Sequence, residues 1–167
     1  MKILQVFGFL IFVNLSAEAP DAYDFGETIK VPRDCVVLST RLSYVTVNKK
    51  PVVPGHLLVI PKRIAPKLKD LTAEEVADLF LLARRAQSAS ESHFSAPCSM
   101  IAVQDGSEAG QTVKHVHVHV VPRKDGDFER NDDVYDALQK EEGKWRTEED
   151  MAEEAEGIRK TVERLDL

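Results

Sequence analysis

The stretch GQTVKHVHVHVVPRK, residues 110 to 124, carries histidines at three alternate positions, His115, His117 and His119. They are three of only five histidines in a chain of 167 residues. An imidazole can attack phosphorus, exchange a proton near neutral pH, or ligate a metal. Side chains of a strand alternate faces, so a strand here puts the three rings on one side, roughly 7 Å apart. Val116, Val118 and Val120 then share the other side and read as core.

Three readings of that histidine face compete. One is a solvated strand face, the ordinary fate of a single histidine. Another is a metal site, since His-x-His can present two imidazoles to zinc. His56 is a candidate third ligand, but no acidic residue or cysteine lies beside the run. The third is nucleophilic attack on a phosphate, with the neighbouring imidazoles fixing the tautomer and assisting the leaving group. Gly110 allows close backbone approach, Gln111 and Thr112 are neutral donors, and a turn of exposed amides binds anions.

These residues need elements to hold them. VVLSTRLSYVTVN from Val36 reads as a strand, KKPVVPGH as a turn, and HLLVIP as a second, antiparallel strand. Thr72 and Glu75 form a capping box, with Leu71 and Val76 at the staple positions. The helix they open carries Val76, Leu79, Phe80 and Ala83 as its apolar stripe and is stopped by Pro97. CSMIAVQDG is a third strand, SEAGQ a turn, and VKHVHVHVVP a fourth strand ending at Pro122. The charged segment 124–146 reads as a loop with a short helix around 135–140. Thr147 opens a last helix whose apolar face is Met151, Ala155, Ile158, Val162 and Leu165. The layout is α+β, an antiparallel sheet with helices.

Composition bounds the function. With 43% hydrophobic and 30% charged residues the chain can bury an ordinary core. A net charge of −6 argues against a nucleic-acid grip, while leaving room for a small phosphate ligand in a locally positive pocket. Cys35 and Cys98 form no CxxC pair. Residues 1–19 combine one positive charge, an apolar run and Ala17-x-Ala19, the parts of a secretory signal; a mobile leader is the competing explanation. The apolar run is too short to span a membrane.

The run from His115 to Val121 fits His-φ-His-φ-His-φ-φ, φ being apolar, without a gap. On that motif the chain resembles the histidine triad (HIT) superfamily. VNKKPVVPGHLLVIPKR, DLTAEEVADLF, QDGSEAGQTVKHVHVHVVPRKDGDFERND and the stretch from Trp145 to Met151 make it similar to the fragile histidine triad branch of dinucleoside polyphosphate hydrolases. The resemblance implies a domain over residues 23–167, after a leader of residues 1–22. It also implies a HIT-like five-stranded antiparallel sheet with two main helices, paired as a homodimer.

For the site, the resemblance implies that His117 attacks the α-phosphate while His119 contacts the phosphate and helps the departing nucleotide. His115 and His56 form the relay that positions them. Gln104, Gly110, Gln111, Thr112 and Val113 hold the phosphates, and Asn48 meets a ribose hydroxyl. Diadenosine triphosphate would give AMP and ADP through a nucleotidyl-histidine. No metal or cofactor is protein-bound, though magnesium or manganese accompanies the substrate. Location is the cytoplasm or nucleus, with secretion the alternative if residues 1–19 act as a signal.

Two other activities share the motif: a nucleoside phosphoramidase, and a nucleotide-binding signalling adaptor for which Tyr135 is the candidate modification site. The segment between Gln139 and Trp145 is shorter than in that branch, and the region before Val36 matches it loosely.

Overall fold

The computed structural model describes residues 20–140 and 143–167; the signal-like residues 1–19 lie outside it. A two-stranded hairpin comes first, β1 (Ala22–Phe25) and β2 (Ile29–Pro32). Then follow β3 (Val36–Ser39), β4 (Ser43–Val47), β5 (Leu57–Pro61), α1 (Ala73–Phe94), β6 (Cys98–Val103), β7 (Val118–Arg123), α2 (Asp133–Lys140) and α3 (Glu148–Leu165). The five strands β3 to β7 form one antiparallel sheet in the order β3-β4-β5-β7-β6. The expected α+β sheet is therefore present, with the hairpin and α2 added to the two main helices.

The segment expected as one strand from Val36 is two. Thr40 turns the chain: its N–H donates to the Ser43 carbonyl at 2.9 Å, and Ser43 N–H donates to Thr40 Oγ1 at 3.0 Å. β4 and β5 pair as expected, from Ser43 against Pro61 to Val47 against Leu57.

The triad strand starts later than its pattern implies. β7 begins at Val118, and His115 and His117 precede it. Main-chain N–H groups that a strand would send sideways go elsewhere: His115 donates to Val113 at 2.7 Å and Val116 to Ala65 at 2.8 Å. Pro122 lies inside β7 instead of ending it. Its missing N–H falls beyond Leu57–Val120, the last pair with β5, so β6 alone pairs there.

Both helices are capped as the sequence predicts. Glu75 N–H donates to Thr72 Oγ1 at 3.2 Å, and Thr72 N–H to the Glu75 carboxylate at 2.8 Å. Thr147 and Asp150 repeat the arrangement at α3. α1 ends at Phe94 with Ser95 in the left-handed region, two residues before Pro97. Its buried face is Leu79, Leu82, Ala83, Ala86 and Ala89; Phe80, expected in the stripe, is largely exposed because that face runs one residue further round. Met151, Ala155, Ile158 and Val162 of α3 are buried in the same core, while Leu165 is exposed. No helix among the described residues is long and apolar enough to cross a membrane.

Candidate active site

All three triad histidines are buried, as is His56, so a solvated face is ruled out. The rings of His117 and His119 lie 4.9 Å apart centre to centre, closer than a regular strand allows, because the chain bends before β7. His115 faces away from them. Ala65 N–H donates to its Nδ1 at 3.1 Å, and its Nε2 donates to the Pro61 carbonyl at 2.9 Å. Its imidazole thus ties the triad loop to the end of β5. Its link to His117 is the main-chain carbonyl.

That carbonyl accepts from His117 Nδ1 at 2.8 Å. The proton on Nδ1 leaves Nε2 as a lone pair. Gln111 Nε2 donates to the same carbonyl at 3.3 Å and to that of Pro66 at 2.9 Å, so this amide braces the loop. Phe25 of β1 meets His117 edge-on, with ring centres 5.1 Å apart.

A second chain of bonds orients His119. Val52 N–H donates to His56 Nδ1 at 3.3 Å. His56 must then carry its proton on Nε2, which lies 2.9 Å from His119 Nδ1. His119 is thereby left with its own proton on Nε2, a buried donor with no partner among the described residues. Buried polar groups are normally paired, so such a donor marks a place for a ligand atom. A nucleophilic nitrogen and an unspent donor on adjacent rings are the two groups that displacement at phosphorus needs.

Burial also holds these rings neutral. Desolvation lowers the His117 pKa against the opposing pull of the His115 carbonyl, with the nearby His115 ring lowering it further. Burial, reinforced by His117, takes His119 down to about 3. His56 falls well below its ordinary value through burial, then through His119, His117 and Arg146.

A cavity of about 200 Å³ opens on the triad. Its apolar wall includes Phe25, Ile29, Val31 and Pro32 from the hairpin and Met151 from α3. Gln104, Thr112 and Val113, expected from the sequence to hold phosphates, border it as well. Gly110 stands behind Gln104 at φ +88°, where a Cβ would come within 2.7 Å of the Gln104 amide nitrogen. The N–H groups of Gly110 and Gln111 are spent on Ser107 and Gly106. Thr112 and Val113 are the part of the turn that lines the cavity. Asn48 borders the cavity with its amide nitrogen 3.3 Å from both ring nitrogens of His56, while its carbonyl oxygen accepts from Lys50 N–H at 3.0 Å.

Among the described residues no group of three or more His, Cys, Asp or Glu is placed to hold a metal ion. Tyr135 is exposed on α2, next to a shallow surface depression rather than the triad cavity.

The hairpin and the segment before α3 are functional surroundings that side-chain spacing left unmarked. Arg146 donates through Nη2 to the Asn48 carbonyl at 2.6 Å, through its N–H to the Lys49 carbonyl at 3.0 Å, and through Nη1 to Glu154 at 2.7 Å. The one available signal was the aromatic Trp145 beside it, in an otherwise charged run.

A family model described as HIT domain matches residues 30–126. A bis(5'-adenosyl)-triphosphatase of Dictyostelium discoideum is 49% identical over 128 residues, covering 77% of this chain and 85% of that protein. The crystal structure of the Caenorhabditis elegans NitFhit protein superposes with a TM-score of 0.74 at 41% identity. That match covers 87% of this chain and 31% of the NitFhit chain, so this chain spans about a third of that protein. Plasmodium falciparum diadenosine triphosphate hydrolase, solved in complex with cyclomarin A, gives a TM-score of 0.74 at 32% identity. There the coverage is 89% of this chain and 88% of the other.

Proposed function

The chain belongs to the HIT-domain family, and from that premise we propose that His117 Nε2 is the nucleophile of a dinucleoside polyphosphate hydrolase. It is an enzyme of the fragile histidine triad type, cleaving phosphoric anhydride bonds and turning diadenosine triphosphate into AMP and ADP.

His117 Nε2 forms a bond to the α-phosphorus as the bond to the bridging oxygen breaks. The electron pair leaves with ADP, whose developing charge accepts a hydrogen bond from His119 Nε2–H. The nucleotidyl-imidazole is cationic, and Nδ1–H against the His115 carbonyl stabilises that charge. Water then attacks phosphorus, the nitrogen leaves as a neutral imidazole, and AMP is released. His56 fixes the direction of the His119 donor. His115 acts through its carbonyl and braces the loop with its ring. Gln104, Thr112 and Val113 receive phosphate oxygens, with Gly110 and Gln111 shaping the turn, and Asn48 receives the ribose. A magnesium or manganese ion travels with the substrate's phosphates.

The observation that carries this reading is the pairing of a free Nε2 on His117 with an unpartnered Nε2 donor on His119. The enzyme works as a homodimer in the cytoplasm. Strand β6, an edge of the sheet with Ile101 exposed on it, supports pairing with a second copy. Incubation with diadenosine triphosphate, resolving the products, is the test. AMP plus ADP is expected; cleavage of adenosine phosphoramidate with no action on the dinucleotide would replace this activity by a phosphoramidase.

A further inference from the structure

The geometry points to a second nucleotide seat at the cavity mouth, where the Trp145 indole stacks on the base of the leaving nucleotide and Lys49 meets its phosphates. This deepens the hydrolase reading above and rests on it.

Size makes a second seat necessary. A cavity of about 200 Å³ is smaller than the roughly 300–1,000 Å³ of pockets that enclose drug-sized ligands. It takes one nucleoside against Phe25, Ile29, Val31 and Met151. The other nucleoside of a dinucleotide must lie outside it.

The mouth offers a suitable surface. Trp145, the single tryptophan of the chain, borders the cavity and is 69% exposed. An indole face left in water is a stacking platform for any base. The ammonium groups of Lys49 and Lys50 stand 5.8 and 5.7 Å from the ring centre. Lys49 brings positive charge to the mouth in a chain of net charge −6, while Lys30 on the same rim is paired with Asp24 and Glu148 is an acidic lining residue.

The platform is also fixed in place. Gly143 lies so close to the β4–β5 loop that a Cβ would come within 2.3 Å of the Pro51 carbonyl oxygen and 2.6 Å of that of Lys50. On the other side Arg146 grips the carbonyls of Asn48 and Lys49 and is itself held by Glu154. Trp145 sits between these two anchors, so little ordering remains to oppose binding.

The test compares two substrates that share the first nucleotide. Diadenosine triphosphate expels a nucleotide that carries a second base; adenosine 5'-phosphofluoridate expels only fluoride. Trp145→Ala should raise the KM for the dinucleotide, relative to that for the phosphofluoridate, by roughly fivefold to a hundredfold, the usual loss for one stacked base. Trp145→Phe should recover part of it. Equal changes for both substrates, or none, would overturn the seat.

Binding is read separately on His117→Asn through the emission of Trp145. Quenching by diadenosine triphosphate but not by AMP is expected, and equal quenching by both overturns the proposal. Should the wild type cleave neither substrate, the hydrolase reading fails, and this titration still decides whether the seat exists.

Discussion

His117 aims Nδ1 at the main-chain carbonyl of His115, 2.8 Å away, and so presents Nε2 to the cavity. The bond does two things. It selects the tautomer before substrate arrives, and in the proposed reaction it stabilises the positive charge that forms once Nε2 is bonded to phosphorus. The partner is main chain, so the positioning survives replacement of the His115 ring provided the loop keeps its place. His115→Asn should therefore lower stability more than kcat, whereas His117→Asn abolishes turnover; parallel denaturation and kinetic measurements separate the two.

His119 carries the opposite duty. In the proposed reaction its unpartnered Nε2–H meets the bridging oxygen, which needs help only while it leaves with a nucleotide. Removing one donor of this kind costs on the order of 10²–10³ in kcat. His119→Ala should show that loss on diadenosine triphosphate and a smaller one on adenosine 5'-phosphofluoridate, whose leaving atom needs less assistance. Equal losses on both would contradict the assignment.

The depressed pKa values set two pH profiles. A histidine titrating at 6.5 would be about tenfold depleted in its neutral form at pH 5.5. With His117 shifted below its ordinary value, kcat/KM should fall less than that between pH 7 and 5.5.

Stability behaves differently. Between its folded pKa and 6.5, each depressed histidine binds fewer protons folded than unfolded. Stability is therefore full above 6.5 and declines as pH falls below it, by about 1.4 kcal/mol per pH unit for each such group. His56, His117 and His119 all contribute in that sense. Denaturant midpoints at pH 7.5 and 5.5 would show the slope, and His119→Asn should flatten it.

Gly110→Ala tests the phosphate turn. At φ +88° an alanine is strained by roughly 1–2 kcal/mol, and its Cβ would displace the Gln104 amide. A raised KM for the dinucleotide is expected, with Gln104→Ala giving the same rise and the double variant adding little.

Much of this was legible in the residues. Thr72 with Glu75 marks the start of α1 because both partners of a capping box are side chains within one turn. The triad motif marked the buried histidine cluster for the same reason: side-chain type and local spacing carry it. What stayed hidden was main-chain behaviour and distant apposition. The valine–histidine alternation continues through His115 and His117, yet the N–H groups of His115 and Val116 turn to Val113 and Ala65 before β7 begins, which no side-chain pattern encodes. Arg146 reads as one charge among many until the fold brings it against Asn48, 98 residues earlier in the chain. The hairpin of Tyr23 and Phe25 was passed over because its strands are only four residues each.

The proposed reaction turns on a bond between His117 Nε2 and phosphorus. Its most direct test is to mix the protein with diadenosine triphosphate, quench in base, where a phosphoramidate survives, and map the modified peptide by mass spectrometry. An adenylyl group on His117 is expected in the wild type, and neither adduct nor AMP from His117→Asn. An adduct on another residue, or AMP and ADP produced by His117→Asn at the wild-type rate, would contradict it.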